Sequence, residues 1–292
     1  MSGHGGLPSF AALTGEMPRV KIVDIGANPI DGEPPYAELM REGNTSVIGF
    51  EPNPQALEKL HGLRRAQDTY LPHAVGDGGR HTLHICAAPG MTSLLAPDPA
   101  VLDLFHGFPH WGQVVATEEV ATVRLDDVAE TAGVDLLKMD IQGAELMVMR
   151  HAERRLADAV VIHAEVEFLP LYKGQPLFTD IDLFLRERGF VLHRFHPTVS
   201  RMIRPLSFNN DPYAGMSQLV WADAVFVRDF TALERLTDHQ LVAMAAILHD
   251  CYRSLDLVVR LLLAYDRRSG KALATAYLDR LRGSAAAAGA AA

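Results

Sequence analysis

Two short β-branched runs, each closed by an acid and by turn chemistry, constrain this chain more than any other feature. Residues 20–28 read Val-Lys-Ile-Val-Asp-Ile-Gly-Ala-Asn, and residues 46–53 read Ser-Val-Ile-Gly-Phe-Glu-Pro-Asn. An apolar strand that runs into a glycine turn is how an open α/β sheet brings backbone close to a ligand. An acid at the tip of the following strand is suited to a pair of ribose hydroxyls. Asp24, Gly26 and Glu51 therefore point to a nucleoside site. Taken singly, each acid has a plainer reading: Asp24 as a helix cap and Glu51 as a solvated strand end.

The pattern around these ends extends the sheet. Strand-like and helix-like segments alternate from about residue 20 to 195. Strands are expected at 20–24, 46–51, 70–75, 81–86, 120–125, 134–140, 159–165, 190–195 and 219–227. Helices are expected at 35–42, 54–65, 126–131, 144–156 and 179–188. Asp77-Gly78-Gly79 reads as a turn leading into a hairpin strand at 81–86. The stretch 87–117 is rich in Pro and Gly and reads as a long binding loop or lid. This βαβα order predicts a doubly wound, mostly parallel sheet. The missing helix between residues 195 and 219 predicts one antiparallel strand near an edge. From residue 231 apolar residues recur at helical spacing, which predicts three C-terminal helices. They are read as a cap on the sheet, a homo-oligomer face or a protein-binding face. The expected divisions are an N-terminal extension (1–18), a Rossmann-like domain (19–230), a helical extension (231–283) and a frayed alanine-rich tail (284–292).

Composition narrows the function. The 292 residues carry a formal net charge of -9, which argues against nucleic acid as the main partner. Two distant cysteines, Cys86 and Cys251, favour a reducing cytoplasm over a disulfide scaffold. No apolar run reaches the ~20 residues of a membrane span. Residues 1–10 lack the charged-then-apolar order of a signal peptide. No histidine, cysteine or acid spacing indicates a metal site.

The ligand class follows from what the first turn lacks. A pyrophosphate needs a Gly-x-Gly-x-x-Gly turn, and here Asn28 and Asp31 stand where further glycines would fall. No Gly-Lys-Ser/Thr of a phosphate loop follows either. A nucleoside without phosphates fits better, and S-adenosylmethionine is one. A nicotinamide-dependent oxidoreductase on a similar sheet is the first alternative, and a non-catalytic binding module is the second.

Four motifs carry a family resemblance: Asp24-Ile-Gly-Ala-Asn28, Gly49-Phe-Glu51-Pro-Asn53, Arg124-Leu-Asp-Asp127, and Leu137-Lys-Met-Asp140-Ile-Gln-Gly143-Ala-Glu145. In order and spacing they resemble the FkbM-type methyltransferases over roughly residues 20–228. The resemblance implies a class I methyltransferase sheet of Rossmann-like form, S-adenosylmethionine as cofactor, and O-methylation of a hydroxyl on a sugar, glycan or secondary metabolite. It implies cofactor contacts from Asp24, Gly26, Ala27, Asn28, Glu51, Pro52, Asn53, Ala74, Val75 and Asp140. Two departures stand out. Gln142 replaces a glutamate usual in the family, and Asn28-Pro29-Ile30 replaces its Asn-x-Gly turn.

Methyl transfer to a hydroxyl needs alignment and a group to take the proton. Catalytic candidates lie at strand ends on the carboxyl edge: Lys138, Asp140, His163 and Glu165, with Glu167 on the same face. Asp140 either faces the site or caps the helix starting near Gly143. Glu145 suits the first turn of that helix as well as a chemical role. His163 is either a base or a hydrogen-bonded core residue. Trp111, in the loop with His106 and His110, either stacks on a ligand or anchors the loop. Asp223 either faces the cleft or satisfies an edge.

Overall fold

The structure, a computed structural model, describes residues 7–28, 32–41 and 44–290. Its strands are β1 (Val20–Ile25), β2 (Thr45–Phe50), β3 (Thr69–Leu71), β4 (Ala74–Val75), β5 (Arg80–Cys86), β6 (Val114–Val123), β7 (Leu136–Met139), β8 (Val161–Glu167), β9 (Phe190–Arg201) and β10 (Gln218–Arg228). Its helices are α1 (Phe10–Thr14), α2 (Ala37–Arg41), α3 (Pro54–Leu63), α4 (Pro99–Leu102), α5 (Phe108–Trp111), α6 (Glu145–Arg150), α7 (Glu153–Asp158), α8 (Phe178–Arg186), α9 (Asp238–Tyr252), α10 (Leu255–Ser269) and α11 (Leu273–Ala290).

Seven strands form one sheet in the order β3-β2-β1-β7-β8-β10-β9. Only β10 runs against its neighbours, pairing antiparallel with β8 and β9. This is the Rossmann-like class I methyltransferase sheet expected from the sequence. Period-two alternation divides its core in two. Val23, Ile25, Leu137, Met139, Ile162 and Phe226 face α6, α7 and α8. Val20, Ile22, Leu136, Val161, Val225 and Val227 face the C-terminal helices.

Helix α9 is the central element of that second layer. Every residue from Leu241 to Tyr252 is buried. A helix apolar on all sides must be covered on all sides. The sheet covers one side, and α1, α10 and α11 cover the others. The expected boundary at residue 230 thus falls inside one continuous core. Residues near the two ends also meet: the Phe10 amide donates to Asp250 Oδ1 at 2.9 Å, and His249 Nε2 donates to the Pro8 carbonyl at 2.9 Å. The alanine-rich segment is helical as far as Ala290, in keeping with alanine's high helix propensity.

Several local expectations differ from the structure. The segment 70–75 is two strands in two sheets, because β3 pairs with β2 while β4 pairs with β6. The partner of β5 is β6, across the long connection, and not the segment before Asp77. That connection holds α4, α5 and a 3-10 turn at Pro89–Met91. The expected helix 144–156 breaks into α6 and α7, and the expected helix 126–131 is two 3-10 turns. Asp126 explains the break: its carboxylate accepts the amides of Arg154 (2.9 Å) and Arg155 (3.0 Å), capping α7 from a distant loop. The Arg-Leu-Asp-Asp motif is therefore structural here, with Leu125 fully buried beneath it.

Candidate active site

On the face toward α9, apolar side chains fill the amino-terminal halves of the strands and polar ones follow at their carboxyl ends. Asp24 follows Ile22, Lys138 follows Leu136, and His163, Glu165 and Glu167 follow Val161. Pairing sets them in rows: Asp24 lies opposite Lys138, Lys138 opposite His163, Glu165 opposite Asp223, and Glu167 opposite Trp221. Paired residues project to the same face, so a polar band crosses the carboxyl edge of the sheet, where open α/β sheets bind ligands. Asp223 faces this band. Glu165 lies inside β8 rather than at its end, since the strand runs on to Glu167.

Asp24 is buried, and both its oxygens are held. Tyr36 donates its hydroxyl to Oδ2 at 2.5 Å, and Lys138 Nζ lies 3.3 Å from Oδ1. Burial first, then Asp24, pushes the Tyr36 phenol well above its usual range, so it remains a donor. The glycine turn does a different job from the one expected. The amides of Gly26 and Ala27 both donate to the Phe50 carbonyl at 3.1 Å. They tie β1 to β2 and leave neither amide for a ligand. Gly26 itself is required: its φ is +78°, and a Cβ there would sit 2.1 Å from the Asp140 carbonyl oxygen. Asn28 is half-buried. Pro29, Ile30 and Asp31 lie outside the described residues, so the departure noted there carries no structural account.

Glu51 stands just beyond β2 and is buried. Its Oε1 accepts the Asn53 amide at 2.7 Å, and among the described residues Oε2 has no hydrogen bond. Burial raises its pKa. Asn53 caps α3 through the amides of Gln55 and Ala56, and Pro52 is exposed between them. Ala74 and Val75 lie in the small sheet, with Val75 in the core.

Lys138 joins the acids. Besides Asp24 it reaches the Gly26 carbonyl at 3.4 Å and Asp140 Oδ2 at 4.0 Å. Burial disfavours its charge, but Asp24 and Asp140 outweigh burial and hold the ammonium above the ordinary lysine range. A lysine so held is a structural cation and not a base. Asp140 does not cap α6. Its Oδ1 accepts from Gln142 Nε2 at 2.8 Å, and the same nitrogen donates to Glu165 Oε2 at 2.7 Å. Gln142 is a non-glycine residue in the left-handed region (φ +58°), held by Ser93 Oγ on its carbonyl (2.7 Å) and by the Tyr172 hydroxyl on Oε1 (3.3 Å). The departure from the usual glutamate thus sits between two carboxyls, where an amide can donate to both and a third carboxylate would repel them.

Glu165 and two further carboxyls, Glu167 and Glu145, are shifted upward. Burial, then Asp140, raises Glu165; burial, then Glu145, raises Glu167. Burial pushes Glu145 from the ordinary 4.5 to about 7, against the amide of Ile141 that donates to its Oε1 at 2.8 Å. Between those two values the fold keeps a proton that the unfolded chain has released. Stability therefore falls as pH rises through the window and levels off above it. Glu145→Gln keeps the acceptor for Ile141 without the titration. The stability gap between variant and parent is expected to widen in the variant's favour by about 3 kcal/mol from pH 4.5 to 7. Urea midpoints across that range measure it, and a constant gap would contradict it.

His163 is nearly fully buried. Its Nδ1 lies 3.0 Å from the Tyr252 hydroxyl and its Nε2 3.4 Å from Asp223 Oδ2. Both ring nitrogens are engaged, which ties β8 to β10 and to the end of α9. Sequence reasoning missed Tyr36 and Tyr252. The first lay in a weak helix, and the second belonged to helices read as peripheral. Of the loop residues, Trp111 packs on Phe108 and Tyr213, and His106 Nε2 donates to the Leu206 carbonyl at 2.8 Å. His110 is exposed. Among the described residues no group of three or more His, Cys, Asp or Glu side chains is placed to hold a metal. No helix of those residues is long and apolar enough to cross a membrane.

Residues 24–192 match the methyltransferase FkbM domain family. The chain belongs to that family. It is 30% identical over 184 residues to the 2-O-methyltransferase NoeI of Sinorhizobium fredii (strain NBRC 101917 / NGR234), covering 58% of this chain and 72% of that protein. Among solved structures it is similar to the precorrin-6y C5,15-methyltransferase of Geobacter metallireducens GS-15 at 14% identity and a TM-score of 0.36, covering 75% of this chain and 85% of that one. A SAM dependent methyltransferase of Aquifex aeolicus is similar at 11% identity and a TM-score of 0.31, covering 76% and 90%. The FkbM match ends within β9. Asp223 on β10 and Tyr252 on α9 lie outside it, yet both face the polar band.

Proposed function

We propose that this FkbM-family methyltransferase uses S-adenosylmethionine and methylates a hydroxyl on a sugar, glycan or secondary metabolite. The observation that carries this reading is the charge of the site. Asp24, Glu51, Asp140 and Asp223 gather at the carboxyl edge around a single buried lysine, Lys138. A cationic nucleoside suits such an edge. A dinucleotide pyrophosphate does not, and the Gly26 and Ala27 amides are already spent on Phe50. The donor set therefore argues against the nicotinamide alternative.

Glu51 would hold the ribose hydroxyls through its free oxygen. When bound, the cofactor supplies an electrophilic methyl group on a sulfonium. The protein's part is to align the acceptor and take its proton. Asp140 is the favoured proton acceptor. Gln142 orients it by donating to both carboxyls, and burial beside Asp140 shifts Glu165 toward its neutral form. Lys138 holds the strand ends, and His163 positions Asp223 and Tyr252. The printed name of the NoeI relative supports an oxygen acceptor.

Calorimetric titration with S-adenosylhomocysteine and with NAD tests the cofactor. Glu51→Ala is expected to weaken S-adenosylhomocysteine about 100-fold, the size of losing charge-assisted hydrogen bonds to two hydroxyls. A folded protein that gives no heat with S-adenosylhomocysteine would overturn the reading. Binding without turnover on hydroxylated acceptors would favour the binding-module alternative.

A further inference from the structure

Arg201 ends β9 just past the polar band, and it lacks the carboxylate partner that several arginines of this protein have. Arg41, Arg65, Arg154, Arg186, Arg188 and Arg204 all lie within 4.0 Å of a carboxylate. Arg201 has no such partner among the described residues. Its Nη1 donates only to the carbonyl of adjacent Ser200 at 2.9 Å, and its Nε is buried with no partner. Asp211 acts on it from a distance but is committed elsewhere, accepting the Tyr213 amide at 2.9 Å. Burial lowers the Arg201 pKa, the mark of a cation short of compensation.

Aromatic rings hold the guanidinium instead. Its Cζ lies 4.6 Å from the Trp221 ring centre and 5.8 Å from that of Tyr213. Tyr213 is 63% exposed and stacks on Trp111 at 5.2 Å. Trp111 and Trp221 both lean on Phe108, which fixes the group. A guanidinium stacked by its face keeps its in-plane N–H groups free for a planar oxyanion.

The location ties this group to the reaction. Trp221 lies opposite Glu167 on the face that also bears Glu165 and Asp223. Asp140 and Asp223 at this edge repel an anion, so an anionic acceptor needs a cation beyond them. An aromatic shelf beside a bidentate cation matches a pyranose ring that carries a carboxylate.

Resting on the methyltransferase reading above, we propose that Arg201, with Trp221 and Tyr213, forms an acceptor subsite for an acidic sugar of the uronate class. The guanidinium takes the sugar carboxylate, and the rings flank the pyranose.

Methyl β-glucuronoside and methyl β-glucoside serve as probes, titrated into the protein with and without S-adenosylhomocysteine. The glucuronoside is expected to bind at least 10-fold tighter than the glucoside. Arg201→Met is expected to erase that preference while keeping its thermal midpoint. Tyr213→Ala, a change at an exposed ring, is expected to weaken the glucuronoside at least 3-fold and guards against misfolding of the first variant. No preference in the parent protein, or a preference that survives Arg201→Met, would overturn the subsite. Failure of S-adenosylhomocysteine to bind would sink the cofactor reading instead, and the titration without it still reports on Arg201.

Discussion

Replacing Gly26 by alanine is expected to cost at least about 4 kcal/mol, enough to leave little folded protein. The added methyl would sit 2.1 Å from the Asp140 carbonyl oxygen and 3.3 Å from the Ile141 side chain. That oxygen is backbone, one residue past β7, and cannot step aside as a side chain would. The Asp140 amide is bonded to the Ile25 carbonyl at 3.1 Å, so β1 and β7 would have to part to make room. The left-handed backbone of Gly26 adds a further penalty of about 1–2 kcal/mol for any side chain. Gly49→Ala is the comparison. Its Cβ would meet side chains rather than backbone, the Tyr70 ring at 2.4 Å and the Ala27 Cβ at 3.2 Å, and its φ is unremarkable. Urea denaturation of the two variants should show a much larger loss at Gly26. Equal losses below about 1 kcal/mol would show that the exit of β7 is free to move.

Lys138→Met is expected to destabilise by about 3–5 kcal/mol, because it leaves a buried carboxylate without its cation. Asp24 Oδ1 has no hydrogen bond other than this ion pair among the described residues, and the two side chains are 4% and 14% exposed. Methionine fills much of the lysine volume, so the loss is electrostatic rather than a cavity. The double variant Asp24→Asn, Lys138→Met removes the stranded charge and is expected to recover more than half of the loss. Additive losses in the double-variant cycle would show that the pair is uncoupled. The same variants separate structure from function. If Lys138 only holds Asp24 and the strand ends, the double variant folds and binds S-adenosylhomocysteine, though less tightly.

Much of the sheet was legible because strand patterning is local. Apolar runs closed by Asp24-Ile-Gly26, by Glu51 and by Lys138-Met-Asp140 name their own carboxyl ends, and alternation names their faces. The gap before β10 announced the antiparallel strand. What misled was longer in range. Asp126 breaks a helix 28 residues away, and the Gly26 turn spends its amides on Phe50 from the neighbouring strand. Neither event leaves a mark in the segment it alters. Helix α9 was visible as a helix, but its burial on every side depends on what covers it.

By itself the sequence determined which residues would stand at strand ends, since that follows from periods of two and of 3.6 along the chain. It therefore reached Asp24, Glu51, Lys138 and Asp140, while His163 and Glu165, read at a strand end, lie inside β8. Only the tertiary structure decided what those groups touch. It brought Tyr36 to Asp24, Gln142 between Asp140 and Glu165, Tyr252 to His163, and Arg201 to the edge of the band. Most of those contacts join different elements of the chain, and burial there raises the pKa of Glu145, Glu165 and Glu167.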